Sequence, residues 1–338
     1  MNLKKEPISD LIDRFLLHKQ ISEGRSVRTA DKYRRYLILL ETFLNDTPIE
    51  AASRDQLIEF TGMYAHKNLA LRPSARRPLV AAVRTFYSWL RVNDVISRNP
   101  AEKIPYPKAG RSLPIALQLS SAEKILMQPD LDTFIGVRDL AILSVLAGCG
   151  PRVSGLCRLN ESDLVFYQDD GMDQLAIRFV EKGNRERLVP APIETLLMVR
   201  AYLGHHELDK IDRTLPNCEK VLFVSMRNRM VPIHEYCGEN RRLKARSIDD
   251  MIKRYGKQAG IPRDQLSAHS FRHLFGAEMA EDEVNTLIMQ SLLGHADPKT
   301  TEIYSHLAMR KLRKVVSRSN PLGKIKTPVT GLRDILRV

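Results

Sequence analysis

Four short stretches of the chain hold residue types that can do chemistry, at spacings that would bring them together. In LGHADPKTTEIYSH, residues 293–306, Gly294 can end one helix and Thr300 or Thr301 can cap a short one, which would present Tyr304 beside His295. In AHSFRHLFGAEMA, residues 268–280, His269, Arg272 and His273 fall at i, i+3 and i+4 and so share a helical face. In GCGPRVSGLCRL, residues 148–159, a Gly-Pro break puts Arg152 in the first turn of a new helix. A cation there faces the positive end of the helix dipole and is at ease only with an anion nearby, so the position invites a phosphate. In VEKGNRERLVP, residues 180–190, Lys182 stands beside a tight hairpin turn from which a flexible ammonium can reach outward.

Taken singly, each stretch also has an ordinary explanation. Tyr304 fits a half-buried packing residue, His295 a helix-end cap and Lys182 a solvated hairpin lysine, while an HxxR spacing arises by chance in a chain this basic. A zinc site on His269 and His273 would lack the acid of an HExxH motif, because position 270 is Ser. The four cysteines, Cys149, Cys157, Cys218 and Cys237, have no CxxC spacing. Their apolar or mixed contexts point to reduced, partly buried thiols, with neither a disulfide framework nor a metal site, and no cofactor is expected.

These residues need a scaffold, and the chain is long enough to provide one. Its 338 residues exceed a typical domain of about 150, so two domains are expected, and 43% hydrophobic with 28% charged residues is ordinary for a folded globular chain. With 53 Lys and Arg against 40 Asp and Glu the net charge is +13, a balance that suits nucleic acid or an acidic membrane surface. The start, MNLKKEPISDLIDRF, lacks the apolar core of about 7 to 15 residues of a signal peptide. The most apolar stretch, residues 140–149, falls short of the about 20 residues that span a bilayer. A soluble, cytoplasmic protein is expected.

Residues 7–100 read as four helices. The first has its stripe at Ile8, Leu11, Ile12, Phe15 and Leu16; the second follows Ser26 and buries Tyr33, Tyr36, Leu37, Leu40, Phe43 and Leu44. Ser53 and Gln56 form a capping-box pattern for the third, and Val80, Val83, Phe86 and Leu90 mark the fourth. Residues 1–110 hold about 19 basic against about 12 acidic residues, with Arg72, Arg76, Arg77, Arg84 and Arg91 suggesting one basic helical face. The proline-rich run NPAEKIPYPKAGRSLP, residues 99–114, reads as an extended linker. Beyond it, Ser120 and Glu123 suggest a capped helix, and a long apolar helix runs from about Phe134 until Gly150-Pro151 stops it. LVFYQ, QLAIRFVEKG and NRERLVPAP then alternate apolar and polar residues about turn signals at DDG and Gly183-Asn184, which predicts a small antiparallel sheet. Helices resume near Ile193, Ser247, His269, Asp282 and Thr300. The fold class is mainly α with a small antiparallel β-sheet in the second domain.

In the order Arg152, Lys182, His269-x-x-Arg272, His295, Tyr304, together with KGNxER, HSxRH and LGHxxxxTTxxYxH, the chain resembles the tyrosine recombinases, or phage-type integrases, over nearly its whole length. The resemblance is closest to the Xer-like and the transposon or integron recombinases. It implies a two-domain clamp on duplex DNA: a helical, SAM-like core-binding domain at 1–104, a linker at 105–114, a catalytic domain at 115–323 and a tail at 324–338. It further implies a homotetramer on two duplexes exchanging strands through a Holliday junction, working with or without an accessory DNA-binding protein, in integration or transposition of mobile elements, excision, dimer resolution or cassette movement. Backbone contacts to DNA are expected from Arg72, Arg76, Arg77, Arg84 and Arg185, and from the basic stretch 227–253. The tail would use Val329, Leu332, Ile335 and Leu336 either to dock on a neighbouring protomer or to pack in cis.

By that resemblance Tyr304 attacks the scissile phosphate to give a 3′-phosphotyrosyl link, His269 accepts the phenolic proton, Lys182 protonates the departing 5′-oxygen, and His295 bonds a nonbridging oxygen. Arg152 and Arg272 would supply planar, permanent cations for the charge that builds on the phosphate, without metal or ATP. One position departs from the family pattern: Arg152-Val153-Ser154-Gly155-Leu156 has Gly155 where an acidic residue is usual. The alternatives are a noncatalytic DNA-binding or architectural protein on the same fold, which Gly155 would favour, and a type IB topoisomerase-like relaxing enzyme.

Overall fold

The computed structural model describes residues 7–24, 26–45, 47–108, 117–181, 185–294 and 306–329. The chain divides into two units, Met1–Leu113 and Pro114–Val338.

The first unit is helical: α1 (Ile8–Ile21), α2 (Val27–Leu44), α3 (Arg54–Glu59) running through a π-helical turn, Phe60–Tyr64, into α4 (Ala65–Lys67), and α5 (Pro73–Val92). Its core closes on the stripes read from the sequence: Leu11, Ile12, Phe15 and Leu16 meet Leu37, Leu40, Val83, Phe86 and Leu90, all buried. The capping box is formed, with Gln56 N–H donating to Ser53 Oγ at 3.2 Å and Ser53 N–H to Gln56 Oε1 at 2.9 Å. Pro73 opens α5, where its missing N–H costs nothing. The proline-rich run 99–114 begins as core: Ala101 and Ile104, ahead of the linker bounds 105–114, are fully buried in this unit, and Arg77 Nη1 donates to the Pro107 carbonyl at 3.3 Å.

The second unit is built around α7 (Phe134–Cys149), whose residues are buried except for Ile135. A helix apolar on every side has to be central, and α7 packs against α9 (Ile193–Leu203), α12 (Ala268–Glu281) and the third strand of the sheet. Its one acid, Asp139, is fully buried and held by Arg138 at 2.6 Å, Arg254 at 2.8 Å and the Tyr255 hydroxyl at 2.9 Å. The sheet is an antiparallel meander of β1 (Leu164–Asp169), β2 (Met172–Glu181) and β3 (Arg185–Ala191). Asp170 and Gly171, both at positive φ, make the first hairpin turn, as the DDG signal predicts.

Among the described residues the remaining α-helices are α6 (Leu119–Leu126), α8 (Val153–Arg158), α10 (His206–Asp209), α11 (Ala245–Gln258), α13 (Thr286–Leu293) and α14 (His306–Ser319). α6 starts earlier than the Ser120 signal suggested: Gln118 occupies the N-cap without a side-chain bond, and Ser120 lies inside the helix. Leu119 packs on the core ahead of the buried Ala122, Ile125 and Leu126, so burial sets that boundary. Ile325 and Val329, counted in the tail by sequence, are buried in this chain's own core; Leu332, Ile335 and Leu336 lie outside the described residues. All four cysteines are free, but only Cys149 is buried and Cys157 half-buried, whereas Cys218 and Cys237 are exposed on loops. Among the described residues no helix is long and apolar enough to cross a membrane.

Candidate active site

Two left-handed helix ends and two helix starts bring the cations together. α7 stops at Gly150, whose φ of +56° gives the αL cap that a Cβ would oppose. Pro151 then turns the chain, and Arg152 becomes the N-cap of α8, one position before the first turn expected from sequence. α13 ends the same way at Gly294, φ +66°. The start of α12 is fixed twice: Ser267 Oγ accepts from Ser270 N–H at 3.1 Å, and Asp249 Oδ1 on α11 accepts from Ala268 N–H at 3.1 Å. That fixes the first turn, where His269 stands, and places Arg272 one turn further on.

Arg272 is 7% exposed and uses both terminal nitrogens: Nη1 donates to the Gly150 carbonyl at 2.8 Å and Nη2 to the Leu293 carbonyl. Arg152, half-buried, directs Nη2 to the Gly294 carbonyl at 3.5 Å. A third guanidinium, Arg187 on β3, is 4% exposed and donates through Nη1 to the Leu292 carbonyl. Three consecutive carbonyls at the C-terminal end of α13 therefore each take an arginine from a different element. Those carbonyls have no partner within their own helix and carry the negative end of its dipole, which offsets some of the repulsion among the three cations.

The crowding has an electrostatic signature. Burial first, then the guanidiniums of Arg187 and Arg152, push Arg272 down to about 9, which leaves it charged at neutral pH. His269, at the exposed rim, is held below the ordinary 6.5 by partial desolvation, with His273, Arg272 and Arg152 adding to it. The His269 and His273 rings lie edge to face at 4.2 Å between centroids. The repulsion that loosens the protons of Arg272 and His269 is relieved by an anion, and planar guanidiniums match phosphate oxygens in pairs. Among the described residues no group of three or more His, Cys, Asp or Glu is placed to hold a metal.

The structure thus brings together Arg152, His269 and Arg272 of the residues expected from sequence. Lys182, His295 and Tyr304 lie outside the described residues, as does the side chain of Arg185. Gly155 is buried within α8. Of the arginines expected at DNA, Arg72 is the exposed N-cap of α5 and Arg76 donates to the Gly62 carbonyl at 3.1 Å. Arg77 and Arg84 bracket the Tyr106 ring at 5.4 and 5.2 Å. Arg77, Arg84 and Arg91 recur every seven residues and so share one face of α5. Sequence reasoning missed Arg187 and Asp249. The signal for Arg187 was present: it shares the inward face of β3 with the buried Val189 and Ala191.

A profile described as "Phage integrase family" matches residues 117–311, and one described as "Phage integrase, N-terminal SAM-like domain" matches residues 12–93. The chain belongs to the phage integrase family, and its activity is that of a tyrosine recombinase: site-specific recombination by cleavage and rejoining of DNA strands. It is 29% identical to tyrosine recombinase XerC of Thermodesulfovibrio yellowstonii over 93% of this chain and 97% of that one, and 30% identical to XerD of Shewanella oneidensis over 93% and 97%. In fold it is similar to the XerH site-specific recombinase bound to palindromic difH substrate, with TM-score 0.67 and 18% identity over 94% and 98% of the two chains. A lambda integrase tetramer bound to a Holliday junction shares the fold at TM-score 0.62 and 16% identity, over 88% and 80%.

Proposed function

We propose that this recombinase acts on double-stranded DNA through Tyr304, with the phosphate held at Arg152 and Arg272. The observation that carries the assignment is the convergence of these two cations on the carbonyls of Leu293 and Gly294, one residue short of His295. In the proposed step the Tyr304 oxygen attacks the scissile phosphorus and its proton passes to His269, which is neutral at physiological pH because its pKa lies below 6.5. The bond to the 5′-oxygen breaks, and that oxygen leaves with a proton from Lys182. The phosphotyrosyl bond conserves the energy of the broken one, so a 5′-hydroxyl from a second duplex can reverse the step and reseal the strand. Arg72, Arg77, Arg84 and Arg185 contribute backbone contacts that position the duplex. Arg76, tied to Gly62, supports that face of the first unit.

The solved structures of a recombinase bound to its difH substrate and of an integrase tetramer bound to a Holliday junction support a working form of four copies on two duplexes. The test uses a duplex that the protein itself selects from a randomised library, nicked so that cleavage traps the enzyme. Wild type forms a covalent adduct; Tyr304→Phe binds equally and forms none. An adduct with the phenylalanine variant would falsify the choice of nucleophile.

A further inference from the structure

Arg187 has no part in the chemistry described above, yet it is the most buried of the three guanidiniums at the end of α13. Taking a cation out of water is costly unless its donors are satisfied, so its place needs a reason. β3 holds it rigidly. Phe179 lies opposite it in the β2–β3 register, and the Arg187 guanidinium sits 5.0 Å from the centre of that ring. From this platform the side chain reaches 105 positions along the sequence to the Leu292 carbonyl. Leu292 and Leu293 are buried against the same core that holds β3, and both β3 and α12 pack against α13.

We infer that Arg187 is a positioning residue for strand transfer: it pins the last turn of α13 to the sheet, so that the carbonyls of Leu293 and Gly294 hold Arg272 and Arg152 in fixed orientation and the chain enters the His295–Tyr304 segment from a fixed point. The pinning is mechanical, because the sheet is hydrogen-bonded through the whole of β3, whereas the αL end of a short helix is otherwise easily frayed. It is also electrostatic. Arg187 adds a positive neighbour that raises the demand of Arg272 for an anion. Arg187 works through Leu292, so it affects how well the phosphate is received and not how the duplex is gripped. This rests on the reading that Arg152 and Arg272 hold the scissile phosphate.

The test compares Arg187→Met, which keeps length without a donor, with Arg187→Lys, which keeps a cation, in the full-length protein on the selected nicked duplex. Misplacing a reacting group by about 1 Å costs about 100-fold in rate, and that is the expected fall in single-turnover adduct formation for Arg187→Met. Its duplex affinity should stay within about twofold of wild type, and Arg187→Lys should recover about tenfold of the lost rate. Amide exchange at residues 289–294 should speed up in Arg187→Met while the rest of the second unit stays protected. Cleavage by Arg187→Met at the wild-type rate overturns the inference. So does a parallel loss of melting temperature, affinity and rate that lysine does not relieve, since that marks a residue holding only the fold. If wild type itself forms no adduct, the phosphate reading has failed, and the exchange measurement still decides the pinning: unchanged exchange at 289–294 overturns it.

Discussion

The Arg272 guanidinium donates to the backbone carbonyl of Gly150 at 2.8 Å, joining two stretches of chain 122 positions apart. Gly150 thus has two tasks: it ends α7 in the left-handed conformation and it aims a carbonyl at Arg272. A Cβ at this position would lie 2.5 Å from Cδ1 of Phe275, which is fully buried one turn beyond Arg272. We expect Gly150→Ala to lose about 2 kcal/mol in urea unfolding, from the left-handed backbone and the displaced ring together. Adduct formation at a temperature where the variant is fully folded should fall at least tenfold, because the carbonyl moves with the strain. A variant that loses stability and keeps its rate would show that the Gly150 carbonyl is not needed to hold Arg272.

In the proposed mechanism His269 sets the acid limb of the pH profile. Its folded pKa is depressed below 6.5, so the folded state prefers the neutral ring and the unfolded chain binds the proton more tightly. Stability therefore rises with pH across the window from the folded pKa up to 6.5, and this contribution is constant above it. The same sign makes the neutral ring available as a proton acceptor at lower pH than in a free histidine. Adduct formation should accordingly hold its plateau down through pH 6.5 and fall only below it, and His269→Ala should lose that limb along with most of its rate. NMR titration of the His269 ring gives the independent check; a midpoint at or above 6.5 would reject the electrostatic description of the site.

Much of this was legible in the chain, and the reasons differ by level. The stripes of α1, α2 and α5, the all-apolar α7 and the alternation of β2 and β3 were readable because each buries a face that its period dictates, whereas β1 buries only Leu164 and leaves Val165 and Phe166 exposed. Arg152 and Arg272 stood out through the order of motifs that resembles the tyrosine recombinases, since residue type and local spacing alone had ordinary explanations. Arg187 did not, although it lay inside a stretch already singled out, because its partner is a carbonyl far away in sequence, and backbone acceptors leave no trace in residue identity. Asp249 was hidden for the same reason: its partner is the N–H of Ala268. The start of α6 was misplaced by two residues because Ser120 carries a capping signature that burial of the neighbouring apolar residues overrides.

The cysteines divide sharply in reactivity. Burial pushes Cys149 up to about 12 against the opposing pull of Arg187. It takes Cys157 to about 11, opposed by Arg242 and reinforced by Asp249. Neither forms a useful thiolate near neutral pH, while Cys218 and Cys237 lie exposed. Native protein at pH 8 should therefore release two equivalents from a disulfide reagent within minutes and the other two only after denaturation. Rapid labelling of Cys149 in the folded state would mean that the α7 end beside the arginines opens to solvent.

The second unit is closed by a contact from beyond α14. Lys324 Nζ reaches Glu278 at 2.9 Å and Asp282 at 3.0 Å, both on or next to the end of the helix that carries His269 and Arg272. Glu278 is 4% exposed, so removing its cation leaves a buried carboxylate without that compensation, a change that costs about 1 to 3 kcal/mol. Asp282 responds more weakly because it is close to solvent; hydrogen bonds from Lys324 and Ser319 hold its carboxyl below the usual range, so its stabilising share is present at neutral pH and lost as acid protonates it. Lys324→Met should thus lower the melting temperature of the second unit, and Lys324→Met with Glu278→Gln should recover part of the loss, since the buried charge has been removed with its partner. If the double variant is no more stable than the single one, Glu278 finds its compensation elsewhere, and the contact from Lys324 is a surface pair of little consequence.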